Sequence, residues 1–212
     1  MEEITIKDML KLFSQFDYSR AFSAIFSDWI ELSALAIQNS VMSGEVAEIR
    51  EKKYMELANR YSPSELKRFG DLLGMLAMIL EDHKEDVLGK LYMQGDQGSG
   101  RLGQFFTPYH LSQLTAGLYD IPDDGDIVVE EPSCGGGGMI IALAERLEKK
   151  GIDYQRRMKV TCRDLDWRCI HMAYVQLSLL GIDAVVIQGD TLGNEEPKPE
   201  QIFYTPKHIG VI

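Results

Sequence analysis

Three short segments place carboxylates beside turn-forming residues in a way that suits ligand binding. The first is Glu130-Glu131-Pro132-Ser133-Cys134-Gly135-Gly136-Gly137-Gly138. Its glycines permit a tight turn and let a ligand approach bare backbone. Glu131, just ahead of them, can accept from a ligand ammonium. The second is Arg163-Asp164-Leu165-Asp166, where an acid suits the two hydroxyls of a ribose. The third is Gly189-Asp190-Thr191-Leu192, whose carboxylate can accept from an adenine amino group. A dinucleotide site expects G-x-G-x-x-G and an acid about 20 residues later. Here the glycines are consecutive, the acid comes later, and Glu131 would repel a pyrophosphate. An amino-acid-bearing nucleoside fits these charges better than a dinucleotide.

Strands are needed to hold the three segments in register. Residues 126–130, 158–162 and 184–188 read as strands, each ending at one of the segments. Residues 139–150 and 167–180 read as the helices between them. Strand, glycine turn, helix, strand, helix, strand implies an α/β fold with a parallel sheet. Ligands of such sheets bind at the carboxyl ends of the strands. Residues 1–95 read instead as a helical region. Phe13, Phe16, Phe22, Ile25, Phe26, Trp29, Ile30, Leu32 and Leu35 recur at three- and four-residue spacings. A further helix is expected over 46–61. Ser62-Pro63-Ser64-Glu65 has the form of a capping box with proline in the first turn, opening a helix that carries Leu66, Phe69, Leu72, Leu73, Leu76, Ile79 and Leu80. Gly95-Asp96-Gln97-Gly98-Ser99-Gly100 is a loop signal and reads as the junction. The expected organisation is therefore a helical region over 1–95 and a core over 101–212, cut short after its third or fourth strand.

Composition narrows the function. The net charge of −11, without a basic run, leaves little to neutralise phosphates, so work on DNA calls for another subunit to hold the duplex. The three cysteines, Cys134, Cys162 and Cys169, lack C-x-x-C spacing, and the four histidines are not paired on a helix face, so no metal is expected. No apolar run approaches the ~20 residues of a membrane span. The acidic start Met1-Glu2-Glu3 is unlike a secretory signal, and the expected location is the cytoplasm.

Gly103-Gln104-Phe105-Phe106-Thr107-Pro108 resembles the G-Q-F-F/Y-T-P motif of the modification subunits of type I restriction-modification systems and related N6-adenine DNA methyltransferases. Glu131-Pro132-Ser133-Cys134-Gly135-Gly136-Gly137-Gly138 is similar to that family's cofactor loop, Asp164 to its ribose acid and Asp190 to its adenine-side acid. The likeness runs from about Asp86 to Leu192. It implies a Rossmann-like methyltransferase core, partial here, with S-adenosyl-L-methionine as cofactor. It places Gln104, Thr107 and Pro108 at the methionine end, and Glu131, Ser133, Gly135 and Gly137 around the amino-acid part. Asp164 would hold the ribose, Leu165 the adenine face and Asp190 the adenine amino group. Implied partners are DNA and a specificity or other subunit; the helical region would dock that partner or a second copy.

The family's N/D-P-P-Y/F/W motif is missing. That motif supplies two carbonyl acceptors and a ring to stack on a flipped base. The sequence holds neither Asn-Pro-Pro nor Asp-Pro-Pro. Ile202-Phe203-Tyr204-Thr205-Pro206 stands at about the right distance after Asp190, with Tyr204 able to stack and Thr205 able to accept one hydrogen bond, but a hydroxyl is a poorer acceptor than an amide carbonyl and the segment reads rather as a divergent strand end or tail. Catalytic residues are thus unassigned. Three activities stay open: methylation of DNA adenine, a silent cofactor-binding or assembly subunit, and methylation of a small molecule or protein.

Overall fold

The computed structural model describes residues 4–17, 19–96 and 106–211. The apolar spacings of the first half do form helices: α1 (Ile6–Phe13), α2 (Phe22–Val41), α3 (Glu45–Ala58), α4 (Pro63–Asp82) and α5 (Val87–Gly95). The capping box is present at α4. Ser62 Oγ accepts from Glu65 N at 3.3 Å, while the Glu65 carboxylate accepts from Ser62 N at 2.8 Å. Trp29 of α2 is fully buried and donates its indole N–H to Phe69 O at 3.1 Å, fixing α2 against α4.

After α6 (Tyr109–Leu118) the alternating half begins. Strand β1 (Ile127–Glu131) leads through the glycine turn into α7 (Gly138–Lys149). A short helix α8 (Tyr154–Arg157) precedes β2 (Met158–Asp164), and α9 (Trp167–Leu179) precedes β3 (Asp183–Gln188). The strands lie in the order β1, β2, β3, mutually parallel, with Val129 beside Val160 and Val160 beside Ala184. The inward residues Ile127, Met158, Val160, Cys162, Ala184 and Val186 are buried.

Helix α9 joins the two halves. Every residue from 169 to 178 is buried, because the sheet covers one side of the helix and α2 the other. A helix apolar all round belongs in such an interior. Gln176 is the polar exception whose partners are fully assigned. Gln176, wholly buried, donates to Gly136 O at 2.8 Å and to Asp86 Oδ1 at 3.0 Å, and accepts from Leu88 N at 3.0 Å. One amide therefore ties the glycine turn to the start of α5.

The last strand departs from expectation. The chain turns back through 189–198 and a 3-10 turn (Pro199–Gln201), so that β4 (Ile202–Tyr204) joins β3 antiparallel, with Val185 opposite Tyr204. Buried Arg50 of α3 holds it there, donating to Ile202 O at 2.7 Å and lying 4.4 Å from the Phe203 ring. Antiparallel travel carries the end of β4 to the amino end of β3. Thr205 Oγ1 consequently accepts from Ala184 N at 2.9 Å and donates to Ile182 O at 2.7 Å, with no exposed surface. Tyr204 stacks on His208, ring centroids 5.3 Å apart. Of the two readings of this segment, the strand end is the one found: Tyr204 and Thr205 sit at the end of the sheet opposite the carboxyl ends of β1 to β3, away from any target base there.

Two substitutions test this framework. Thr205→Val should lower stability in urea unfolding by about 1–2 kcal/mol, since it strands the Ala184 N–H, and leave ligand binding at the other end of the sheet unchanged. Gln176→Leu keeps the volume but abandons three buried partners. A loss of about 2–4 kcal/mol is expected, and an unchanged urea midpoint would show that the amide does not couple the two halves.

Candidate functional site

The turn after β1 is shaped by main-chain bonds. Cys134 N donates to Arg163 O at 2.9 Å and Gly137 N to Cys134 O at 2.8 Å. Gly135 (φ +52°) and Gly137 (φ +91°) occupy the left-handed region, where a side chain would be strained. Gly137 is the N-cap of α7, so the turn delivers the unpaired N–H groups of a helix start to its inner side. Cys134 is buried; the Cys162 thiol beside it and burial push its own thiol up, which makes it a packing group and not a nucleophile.

The other two strand-end segments are tied to the first. Asp164 Oδ2 accepts from Gly135 N at 2.9 Å and Oδ1 from Asp166 N at 3.0 Å. Asp166 in turn caps α9 by accepting from Arg168 N at 2.8 Å. Gly189 N donates to Asp164 O at 2.9 Å, Leu192 N to Asp190 Oδ1 at 2.9 Å, and Thr191 Oγ1 to Pro132 O at 2.6 Å.

Between these segments lie two cavities in series. The first, about 240 Å³, is lined by Asp86, Phe106, Thr107, Ser112 and Met139, with Ser133, Cys134, Gly135, Gly136, Gly138 and Asp164 of the turn and β2 end. The second, about 320 Å³, is lined by Pro132, Leu165, Gly189, Asp190, Thr191 and Leu192. Ser133 and Asp164 line both, so the two meet at the end of β2. A roomier cleft of about 790 Å³ lies among Lys84, Lys90, Tyr109, Glu145 and Lys149, away from the strand ends. Its lysines are already paired with Glu148, Glu85 and Glu145, and it offers no convergent set of free groups.

The sequence-derived residues fall into three groups. Thr107, Ser133, Gly135, Asp164, Leu165 and Asp190 converge on the paired cavities. Pro108, Glu131 and Gly137 do not line them. Pro108 is the N-cap of α6 and faces the larger cleft. Glu131 folds back to accept from Ser133 N at 3.2 Å and lines the cleft beside Thr161 and Arg163. Gly137 packs against Ala173, while its neighbours Gly136 and Gly138 face the cavity. Gln104 lies outside the described residues. Sequence reasoning missed Asp86, Ser112 and Met139. Asp86 had a signal, the Asp-x-x-Gly start of α5: its Oδ1 accepts from Gly89 N at 2.9 Å, and a Cβ at Gly89 would collide with that carboxylate.

The lining fits an amino-acid-bearing nucleoside. Asp86, Asp164 and Asp190 supply acceptors and would repel a pyrophosphate; Ser133, Thr107 and the start of α7 supply donors for a carboxylate. The turn is a cradle that side chains would fill: a Cβ at Gly138 would stand 3.2 Å from Asp86 Oδ2, and one at Gly135 3.5 Å from the Phe106 ring. Among the described residues, no group of three His, Cys, Asp or Glu side chains could hold a metal ion, and no helix is long and apolar enough to cross a membrane.

Residues 83–209 match the family described as N-6 DNA Methylase. A similar curated protein is the Type I restriction enzyme MjaIX methylase subunit of Methanocaldococcus jannaschii, 25% identical over 121 residues, which are 55% of this chain and 21% of that protein. A solved structure from Listeria monocytogenes, assigned to the class I S-adenosylmethionine-dependent methyltransferases, superimposes with a TM-score of 0.52 at 16% identity over 92% of this chain and 56% of that one. The type I restriction-modification methyltransferase subunit of Streptococcus thermophilus gives a TM-score of 0.44 at 17% identity over 93% and 42%. The chain thus spans about a fifth to a half of the length of these proteins. The family match covers more than half of the chain, which belongs to the N-6 DNA methylase family, whose cofactor is S-adenosylmethionine.

Proposed function

We propose that this chain carries the S-adenosylmethionine-binding unit of an N6-adenine DNA methyltransferase, and that the target base is held by groups outside residues 1–212, those of a DNA-binding partner subunit among them. The observation that carries the reading is the pair of cavities meeting at Ser133 and Asp164, with an acid in each and glycine turns between. In this reading Asp164 accepts from the ribose, Leu165 and Asp190 flank the adenine, and Thr107, Ser133 and the glycine turn receive the amino-acid end. The bound cofactor supplies an electrophilic methyl group. The residues of this chain hold and orient it.

A target-base site outside these residues has several supports. The sequence holds no Asn-Pro-Pro or Asp-Pro-Pro, and its net charge of −11 is adverse to holding DNA. The substitute acceptor, Thr205, has its hydroxyl committed to Ala184 N and Ile182 O at the far end of the sheet. The Methanocaldococcus relative is a methylase subunit of a restriction enzyme, which agrees with work inside an assembly. The same observations favour one second reading, a silent subunit that binds cofactor and helps assembly without turnover.

Isothermal titration of S-adenosylmethionine into the purified protein tests the first step, with NAD as control and Asp164→Ala as the pocket variant. Saturable binding that is absent with NAD and falls at least about tenfold in the variant is expected, because Asp164 also positions the Gly135 turn. Labelled methyl transfer to DNA then separates the readings. Turnover restricted to mixtures with a DNA-binding partner subunit supports the methyltransferase unit; binding with no turnover in any mixture supports the silent subunit.

A further inference from the structure

We infer that Asp86, on the helical side of the first cavity, is the carboxylate that receives the α-ammonium group of the cofactor. The inference rests on reading that cavity as the S-adenosylmethionine site.

Of the carboxylates near the glycine turn, Asp164 and Glu131 are already engaged. Asp164 spends one oxygen on Gly135 N and the other on Asp166 N. Glu131 accepts from Ser133 N and Ser133 Oγ, and lines the cleft on the other side of the turn. Asp86 differs from both. Its Oδ1 accepts from Gly89 N and Gln176 Nε2, which holds the side chain in a single orientation. Both of these donors reach Oδ1; no donor among the described residues reaches Oδ2, which stands 3.2 Å from where a Cβ of the cavity-lining Gly138 would be.

A carboxylate that is only 4% exposed and short of one donor is costly unless a cation comes to it. Burial pushes the Asp86 carboxyl above the ordinary aspartate range, which marks that cost. The nearest lysine, Lys90, is paired with Glu85. The cavity is also lined by the hydroxyl-bearing residues Thr107, Ser112 and Ser133 and by the start of α7, whose N–H groups suit the α-carboxylate of an amino acid. An amino acid entering this cavity therefore finds donors for its anionic group and, at Asp86, an acceptor for its cationic group.

Titration calorimetry with two ligands tests this: S-adenosylhomocysteine, and its deaminated analogue in which hydrogen replaces the α-amine. The wild type should bind the first on the order of tenfold to a hundredfold more tightly. Asp86→Asn keeps an acceptor for Gly89 N and Gln176 while removing the charge, so it should weaken S-adenosylhomocysteine by a similar factor and bind the analogue as the wild type does. If that variant does not fold by circular dichroism, Asp86→Ser, whose hydroxyl also caps helices, repeats the comparison. A wild type indifferent to the amine, or a folded variant that retains the wild-type preference, overturns the assignment of Asp86 alone. A wild type that binds neither ligand overturns the cofactor reading and this assignment with it.

Discussion

The buried side chain of Gln176 is the interaction on which both halves of the molecule depend. It sits mid-helix in α9, among residues that are otherwise almost all apolar, and reaches the glycine turn, the cap of α5 and the Leu88 amide at once. An amide buried in this way is stable only when its donors and acceptor all find partners. Those partners arrive from segments some 40 and 88 to 90 residues away in sequence. The register of α5, the height of the glycine turn and the rotation of α9 are therefore set together. Shifting any one leaves polar groups unpaired in a dry interior.

This arrangement explains how a helical region becomes part of a ligand site. Helices α2 and α3 do not merely sit beside the sheet. The first covers the outer side of α9, and the second sends Arg50 through to the carbonyl of Ile202 and the face of Phe203. The α5 start places Asp86 inside the cavity next to Phe106 and Thr107. One continuous apolar core runs through both regions. The helical half is thus a wall of the site as well as a candidate surface for partners.

Much of this was legible in the residues. The strand ends, the glycine turn, Asp164, Asp190 and the capping box at Ser62 depend on local rules, and local rules can be read from one sequence. The direction of β4 could not. Three residues of strand carry no sign of whether they run with or against a neighbour, and here a long-range contact from Arg50 holds the return. Tyr204 and Thr205 looked plausible by distance along the chain, but their place was decided by pairing with β3. The contact of Glu131 is likewise set by folding: its carboxylate accepts from Ser133 N in the turn that follows it. Asp86 was overlooked because its role depends on a cavity assembled from α5, α6, α7 and β2, although Asp-x-x-Gly already hinted at a carboxylate lying across a helix start.

The strand-end segments are fastened to each other by main-chain bonds, Cys134 N to Arg163 O and Gly189 N to Asp164 O, with the Thr191 hydroxyl on Pro132 O and the Asp164 carboxylate on Gly135 N added to them. A pocket whose outline is drawn by backbone is insensitive to most of the side chains around it. Substitutions on the surface and in the helical layer leave the dimensions of the concavity unchanged, so long as the few glycines and acids survive. Such a scaffold can lose the residues that act on one acceptor and still carry the same nucleoside, which makes the holding of the cofactor and the use of it separable properties of the chain.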